Sequence, residues 1–124
     1  MNTANKYKGY FDFPVGEGET KKMHFSMNFV FLLQDITEKD LTTWLTDLEK
    51  ASETDQGFGL CQIVFAALAA YDLEEENEVD YNVYKVRNWV FNALMEDPDL
   101  PQALMKAMTD ALGGSLGKMK AKKK

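Results

Sequence analysis

Apolar and polar positions alternate at the start of the chain. Tyr7, Gly9, Phe11 and Phe13 fall on one side, and Lys8, Tyr10 and Asp12 on the other. A second short run of this kind, "KKMHFSM", comes after "PVGEGET", where Pro14, Gly16 and Gly18 interrupt any regular element. Two strands around a glycine-containing loop predict a β-hairpin over residues 7–25. The period then lengthens to three and four. Ser26 is placed to cap a helix through "MNFVFLLQDI", its hydroxyl accepting from a first-turn amide. Thr37 and Asp40 have the spacing of a capping box at the head of "TEKDLTTWLTDLEKA", in which Leu41, Trp44, Leu45 and Leu48 form one apolar stripe. "SETDQGFG" reads as a loop, followed by a buried helix from about Phe58 to Tyr71.

The stretch "QIVFAALAAYDLEEENEVDYNVYKVRNWVF" admits a membrane anchor, a metal loop or a helical hairpin. The apolar run Leu60 to Tyr71 is twelve residues long and includes Gln62, whereas a spanning helix needs about 20 apolar residues. The acids from Asp72 to Asp80 alternate as in a calcium loop. Yet Asn77 stands where such a loop turns on glycine, and Val83 where it places a bidentate glutamate. The hairpin has positive support. Val79, Val83, Val86, Val90 and Leu94 make one helical stripe, and Tyr81, Tyr84, Asn88, Phe91 and Met95 a second beside it. Two stripes predict a helix from Asp80 to Glu96 covered on two sides, with Asp80 as its cap and Lys85, Asn92 and Glu96 facing water. "EDPDLP" ends that helix and starts the next, with Asp97 as cap and Pro98 in the first helical position. The last helix carries Leu100, Leu104, Ala107, Met108 and Ala111 on one face and is expected to stop at Gly113 and Gly114. The fold class expected is α+β and mostly helical: an N-terminal β-hairpin (7–25) and about five α-helices (26–112) in one compact globular domain, residues 1–112, followed by a flexible basic tail, 113–124.

A chain of 124 residues with 45% hydrophobic and 27% charged content has the make-up of a single globular domain. Its charge is uneven. Five of the fourteen basic residues lie in the last twelve positions, leaving nine against twenty acids, a net of −11 on residues 1–112. A body so acidic repels nucleic acid unless it mimics it. The single cysteine, Cys61, excludes an internal disulfide and a cysteine-rich zinc site, and its place in the apolar run favours packing over reactivity. The single histidine, His24, has no serine or cysteine nucleophile at a recognisable spacing, and "VGEGET" lacks the Gly-Lys-Ser/Thr of a phosphate loop. No catalytic residue, metal ligand or cofactor is assigned, and no enzyme is expected. The first nine positions are mostly polar and no apolar h-region follows, so no signal peptide is expected and the location expected is the cytoplasm. Methionine suits both cores and surfaces that receive varied apolar partners. Met105 lies beside the last helix's stripe and is the foremost contact candidate. Leu104, Met108 and Leu112 are the neighbouring candidates, and Lys122, Lys123 and Lys124 could add salt-sensitive contacts.

The order of elements carries a resemblance. "KGYFDFPVGEGETKKMHFSM" runs into "MNFVFLL", then "DLTTWLTDL", the alanine-rich "IVFAALAAYD" and "VRNWVF". Over roughly residues 7–95 this resembles the small tail assembly chaperones of long-tailed bacteriophages and prophages. Met27-Asn28 matches the pair near that family's first helix, and Tyr71-Asp72 the aromatic and acid closing its alanine- and leucine-rich helix. Ser26 and Phe29 depart from the glycine and the small residue expected at those places. The resemblance implies structural roles for these positions. It also implies a non-enzymatic function: holding the long helical tape-measure protein soluble while the tail tube assembles, in the cytoplasm of a bacterial host, with a homo-oligomer as a further expectation. From another class, the acidic body fits an inhibitor or DNA mimic that occupies a nucleic-acid-binding protein. That reading requires the acids to line up on one surface.

Overall fold

In a computed structural model of the chain, the described residues are 9–16 and 18–122, with the backbone alone for residues 53, 54 and 113–122. Strand β1, Tyr10–Gly16, pairs antiparallel with β2, Glu19–His24, placing Phe11 opposite Met23 and Phe13 opposite Lys21. The register slips between Pro14 and Gly16, next to a proline that has no amide to give to the ladder. Phe13 and Met23 are fully buried, while Asp12 and Lys22 form an exposed 3.6 Å ion pair. The base of the hairpin closes on Gly9, whose carbonyl accepts from Phe25 N at 2.8 Å. Gly9 has φ +91, and a Cβ there would lie 3.1 Å from the Phe25 carbonyl oxygen and 3.2 Å from Ala111 Cβ. This position therefore requires glycine on two counts.

Helix α1, Met27–Thr37, starts where expected: Ser26 Oγ accepts from Phe29 N. It buries Phe29, Val30 and Leu33. Thr37 closes this helix instead of opening the next. Its hydroxyl donates back to Leu33 O at 2.8 Å, and Glu38 follows in the left-handed region, φ 59. The cap of α2, Leu41–Lys50, is Asp40, extended at ψ 159 and accepting from Thr43 N at 2.8 Å.

Helix α3, Glu53–Glu74, begins five residues before the expected Phe58, because Ser52 Oγ accepts from Asp55 N at 3.2 Å and converts the expected loop into two helical turns. From Leu60 to Ala70 it is buried on nearly every side, as a helix that is apolar all round must be. It packs against β2, α1 and α2. The window Asp55–Glu74, mean hydropathy 1.3, is long and apolar enough to cross a membrane, yet 61% of it is buried inside the fold, as the helix around which the core is built. Its end is a Schellman motif: Asn77 N donates to Asp72 O (2.7 Å), Glu76 N donates to Leu73 O (3.2 Å), and Glu76 takes φ 59.

Helix α4, Val83–Glu96, is capped by Asn82, whose Oδ1 accepts from Lys85 N at 3.0 Å. Asp80 is not the cap. Tyr81 is drawn into the core, so helical geometry starts only after it. The first stripe is buried through Val86 and Val90, with Ala93 beside them. The second is a correction: Tyr84, Asn88, Phe91 and Met95 all face solvent, so α4, which packs on α3 and β1, is covered on one side. Helix α5, Leu100–Lys122, follows a turn in which Asp97 Oδ1 accepts from Asp99 N at 3.1 Å, which puts Pro98 outside the helix. Leu100, Leu104, Met108 and Leu112 are buried. The helix does not stop at Gly113 and Gly114 but runs on to Lys122. Glycine permits a left-handed stop without imposing one, and the strong helix formers Leu116, Lys118, Met119, Lys120 and Ala121 carry propagation past it. The outcome is the expected class: a two-stranded hairpin followed by five helices.

Candidate functional site

Four helices leave a cleft between them. The stripe of α2 contributes Leu48, with Glu49 at the rim. The first turns of α3, expected to be loop, supply Gln56, Gly57, Leu60 and Ile63. Leu94 of α4 and Pro101 and Met105 of α5 form the opposite wall. The volume is about 390 Å³. Gly57 leaves the floor open, since a Cβ at that position would touch nothing within 4 Å. Gly59, two residues on and so on another side of the helix, lets α2 approach: a Cβ there would meet Leu48 Cδ1 at 2.5 Å. Gly57 thus lines the groove without bulk, while Gly59 makes room for Leu48 where α2 packs on α3.

Met105 is half-buried on the wall of this cleft. The other candidates separate from it. Leu104 (0% exposed), Met108 (1%) and Leu112 (4%) belong to the core. The three follow one another at intervals of four along the face packed inward, and Met105 lies at the edge of that face. They are corrected from contact to core residues. Lys122 is described as a backbone position at the end of α5, and Lys123 and Lys124 lie outside the described residues.

Two polar clusters link the elements at the other end of α3. The Glu74 carboxylate accepts from His24 Nδ1 (2.6 Å), Ser26 Oγ (2.6 Å) and Asn28 Nδ2 (2.8 Å). Burial pushes its pKa up, but these three bonds outweigh burial and hold it below the usual carboxylate range. His24 also stacks on Tyr10, ring centroids 4.1 Å apart. Ser26 and His24 bond the same carboxylate and not each other, so the serine is not paired with the imidazole. The second cluster is Asp72, which accepts from Tyr81 OH (2.5 Å) and Asn77 Nδ2 (3.2 Å). Burial, reinforced by Asp72, raises the Tyr81 hydroxyl well above its ordinary value. Cys61 is buried and its thiol is likewise raised, the opposite of an activated nucleophile. Among the described residues, no group of three His, Cys, Asp or Glu side chains is placed to hold a metal ion.

Neither Glu74 nor Asp72 stood out within its run of six acids. The cap at Ser26 was legible, but its second bond, to a residue 48 positions away, was not. With both acids turned inward, the run presents only Glu75, Glu76, Glu78 and Asp80 to solvent. Compared with protein-family models, curated proteins and solved structures, the chain matches none.

Proposed function

We propose that this protein is a non-enzymatic chaperone that holds an amphipathic helix of a partner in the cleft between α2, α3, α4 and α5. The cleft itself carries the reading: an open apolar groove walled by Leu48, Leu60, Leu94 and Met105 and floored by Gly57. Helix-in-groove recognition needs an apolar channel that accepts side chains at one-turn intervals, and a methionine on its wall adapts to more than one sequence. The net charge of −11 on residues 1–112 keeps such a protein in solution and away from nucleic acid while it waits for a client. The client suggested by the sequence resemblance is the long helical tape-measure protein of a phage tail, and the location the bacterial cytoplasm. The mimic of nucleic acid is the weaker alternative, because two acids of its central run bond inside the fold.

The test is co-expression with the long helical protein encoded beside this gene, followed by size-exclusion chromatography. Expected is a soluble client that co-elutes with the wild type. Gly57→Leu fills the groove from a position with open space above it, and should abolish co-elution while leaving the thermal midpoint unchanged or raised. A client that stays insoluble with the wild type, or one that co-elutes equally with Gly57→Leu, overturns the reading.

A further inference from the structure

Helix α4 presents an apolar strip on the side opposite its core contacts. Tyr84 is 69% exposed, Phe91 64% and Met95 71%. At about 100° per residue the strip lies roughly 160° around the helix from the buried Val86, Val90 and Ala93. It is not left loose. The Arg87 guanidinium lies 5.3 Å from the Tyr84 ring and 5.2 Å from that of Phe58 on α3, so one cation braces two exposed aromatic rings.

We propose that this strip is a two-fold docking surface for a second copy of the chain. The observation that selects a second copy is a matching of spacings. Tyr84 and Met95, the ends of the strip, are eleven residues apart; so are Lys85 and Glu96, which flank it on one side. Eleven residues are three turns and about 20°, so each pair stays on its own line along the helix. In an antiparallel, two-fold pairing of α4 with its copy, each flank faces the same flank of the partner in reverse order. The register that sets Tyr84 of one copy level with Met95 of the other brings Lys85 of one to within two residues, about 3 Å along the axis, of Glu96 of the other, twice. Phe91 falls near the axis and meets its own copy. Lys85 and Glu96 are both exposed, and among the described residues neither forms an ion pair within the chain. Apolar contact supplies the attraction and the charges fix the direction, since a parallel pairing sets each flank against the opposite flank of the partner and leaves Lys85 without Glu96.

The test is sedimentation of the full chain over a range of concentrations, at low and high salt, with four proteins: wild type, Lys85→Glu, Glu96→Lys and the double exchange. All substitutions are on exposed positions, and unchanged circular dichroism confirms folding. Expected is a reversible dimer that each single exchange weakens about tenfold by setting like charges together at both contacts, with the double exchange restoring association to near the wild-type value. Added salt should narrow the differences among the four. A wild type that remains monomeric at every concentration overturns the proposal. So does a dimer that the four proteins form equally well, since it would use another face.

Discussion

Tyr81 holds three parts of the molecule together. Its hydroxyl bonds Asp72 at the end of α3. Its ring meets Phe65 edge-on at 6.0 Å and lies 5.6 Å from Trp89 of α4, with Lys21 of β2 over it at 5.2 Å. Removing the hydroxyl by Tyr81→Phe keeps the ring contacts but leaves the buried Asp72 with Asn77 alone. Loss of a partner by a buried polar group costs about 1–3 kcal/mol, and urea unfolding should show a decrease of that size. Glu74 makes a prediction about pH. Its folded pKa lies below the unfolded one, so in acid the unfolded chain binds more protons and stability is lost as pH drops. The contribution is complete above the ordinary carboxylate value and disappears as pH drops through the lower, folded value. Glu74→Gln should flatten this acid limb in a series of thermal midpoints, and coincident limbs would show that the cluster does not stabilise the fold. These residues were the least legible in the sequence. An acid in a run of acids carries no local sign that it will turn inward, because its partners lie on β2 and α1, 46 to 50 positions away.

Among elements, interiors were legible and ends only partly. The stripes of α2 and α5 point to residues that became core, because the amphipathic period is set by the helix itself. Caps are chosen by competition among neighbours. Thr37 lost to Asp40 because it was back-bonded into α1, and Asp80 lost to Asn82 because Tyr81 had first to be buried. Two ends rest on a strained choice, with Glu38 and Glu76 both at φ 59, where a side chain is costly and glycine is not. Glu38→Gly and Glu76→Gly should each stabilise the protein by about 0.5–1 kcal/mol, measured by chemical denaturation, despite removing every side-chain atom. Gly57 makes the reverse case. It sits within α3 with open space around its α-carbon, so Gly57→Ala should add about 0.5–1 kcal/mol through helix propensity. That such a gain is left unused is what a groove kept open for a ligand would require.

At the scale of the whole molecule, the sequence pattern showed two apolar stripes on α4 but not that only one would be covered. Coverage depends on which elements arrive, and α3 with β1 occupies a single side. The uncovered side is the dimer surface proposed above, and the groove lies between α4 and its other neighbours, so client and second copy can in principle bind together. Charge-exchange variants that lose the dimer should retain the client on a sizing column, and Gly57→Leu should lose the client while still sedimenting as a dimer.

The central place of α3 bears on how the protein is made. The hairpin, α1 and α2 all bury their apolar faces against a helix that follows them in the chain. During synthesis, at about 5–20 residues per second, Met23, Phe29 and Leu33 leave the ribosome before the helix that covers them, and wait for Ile63, Val64 and Leu68 to emerge. A protein proposed to shield the helices of another chain thus passes through an interval in which it must itself be shielded. Stalled nascent chains ending before α3 should bind ribosome-associated chaperones, and those long enough to expose Glu74 should release them.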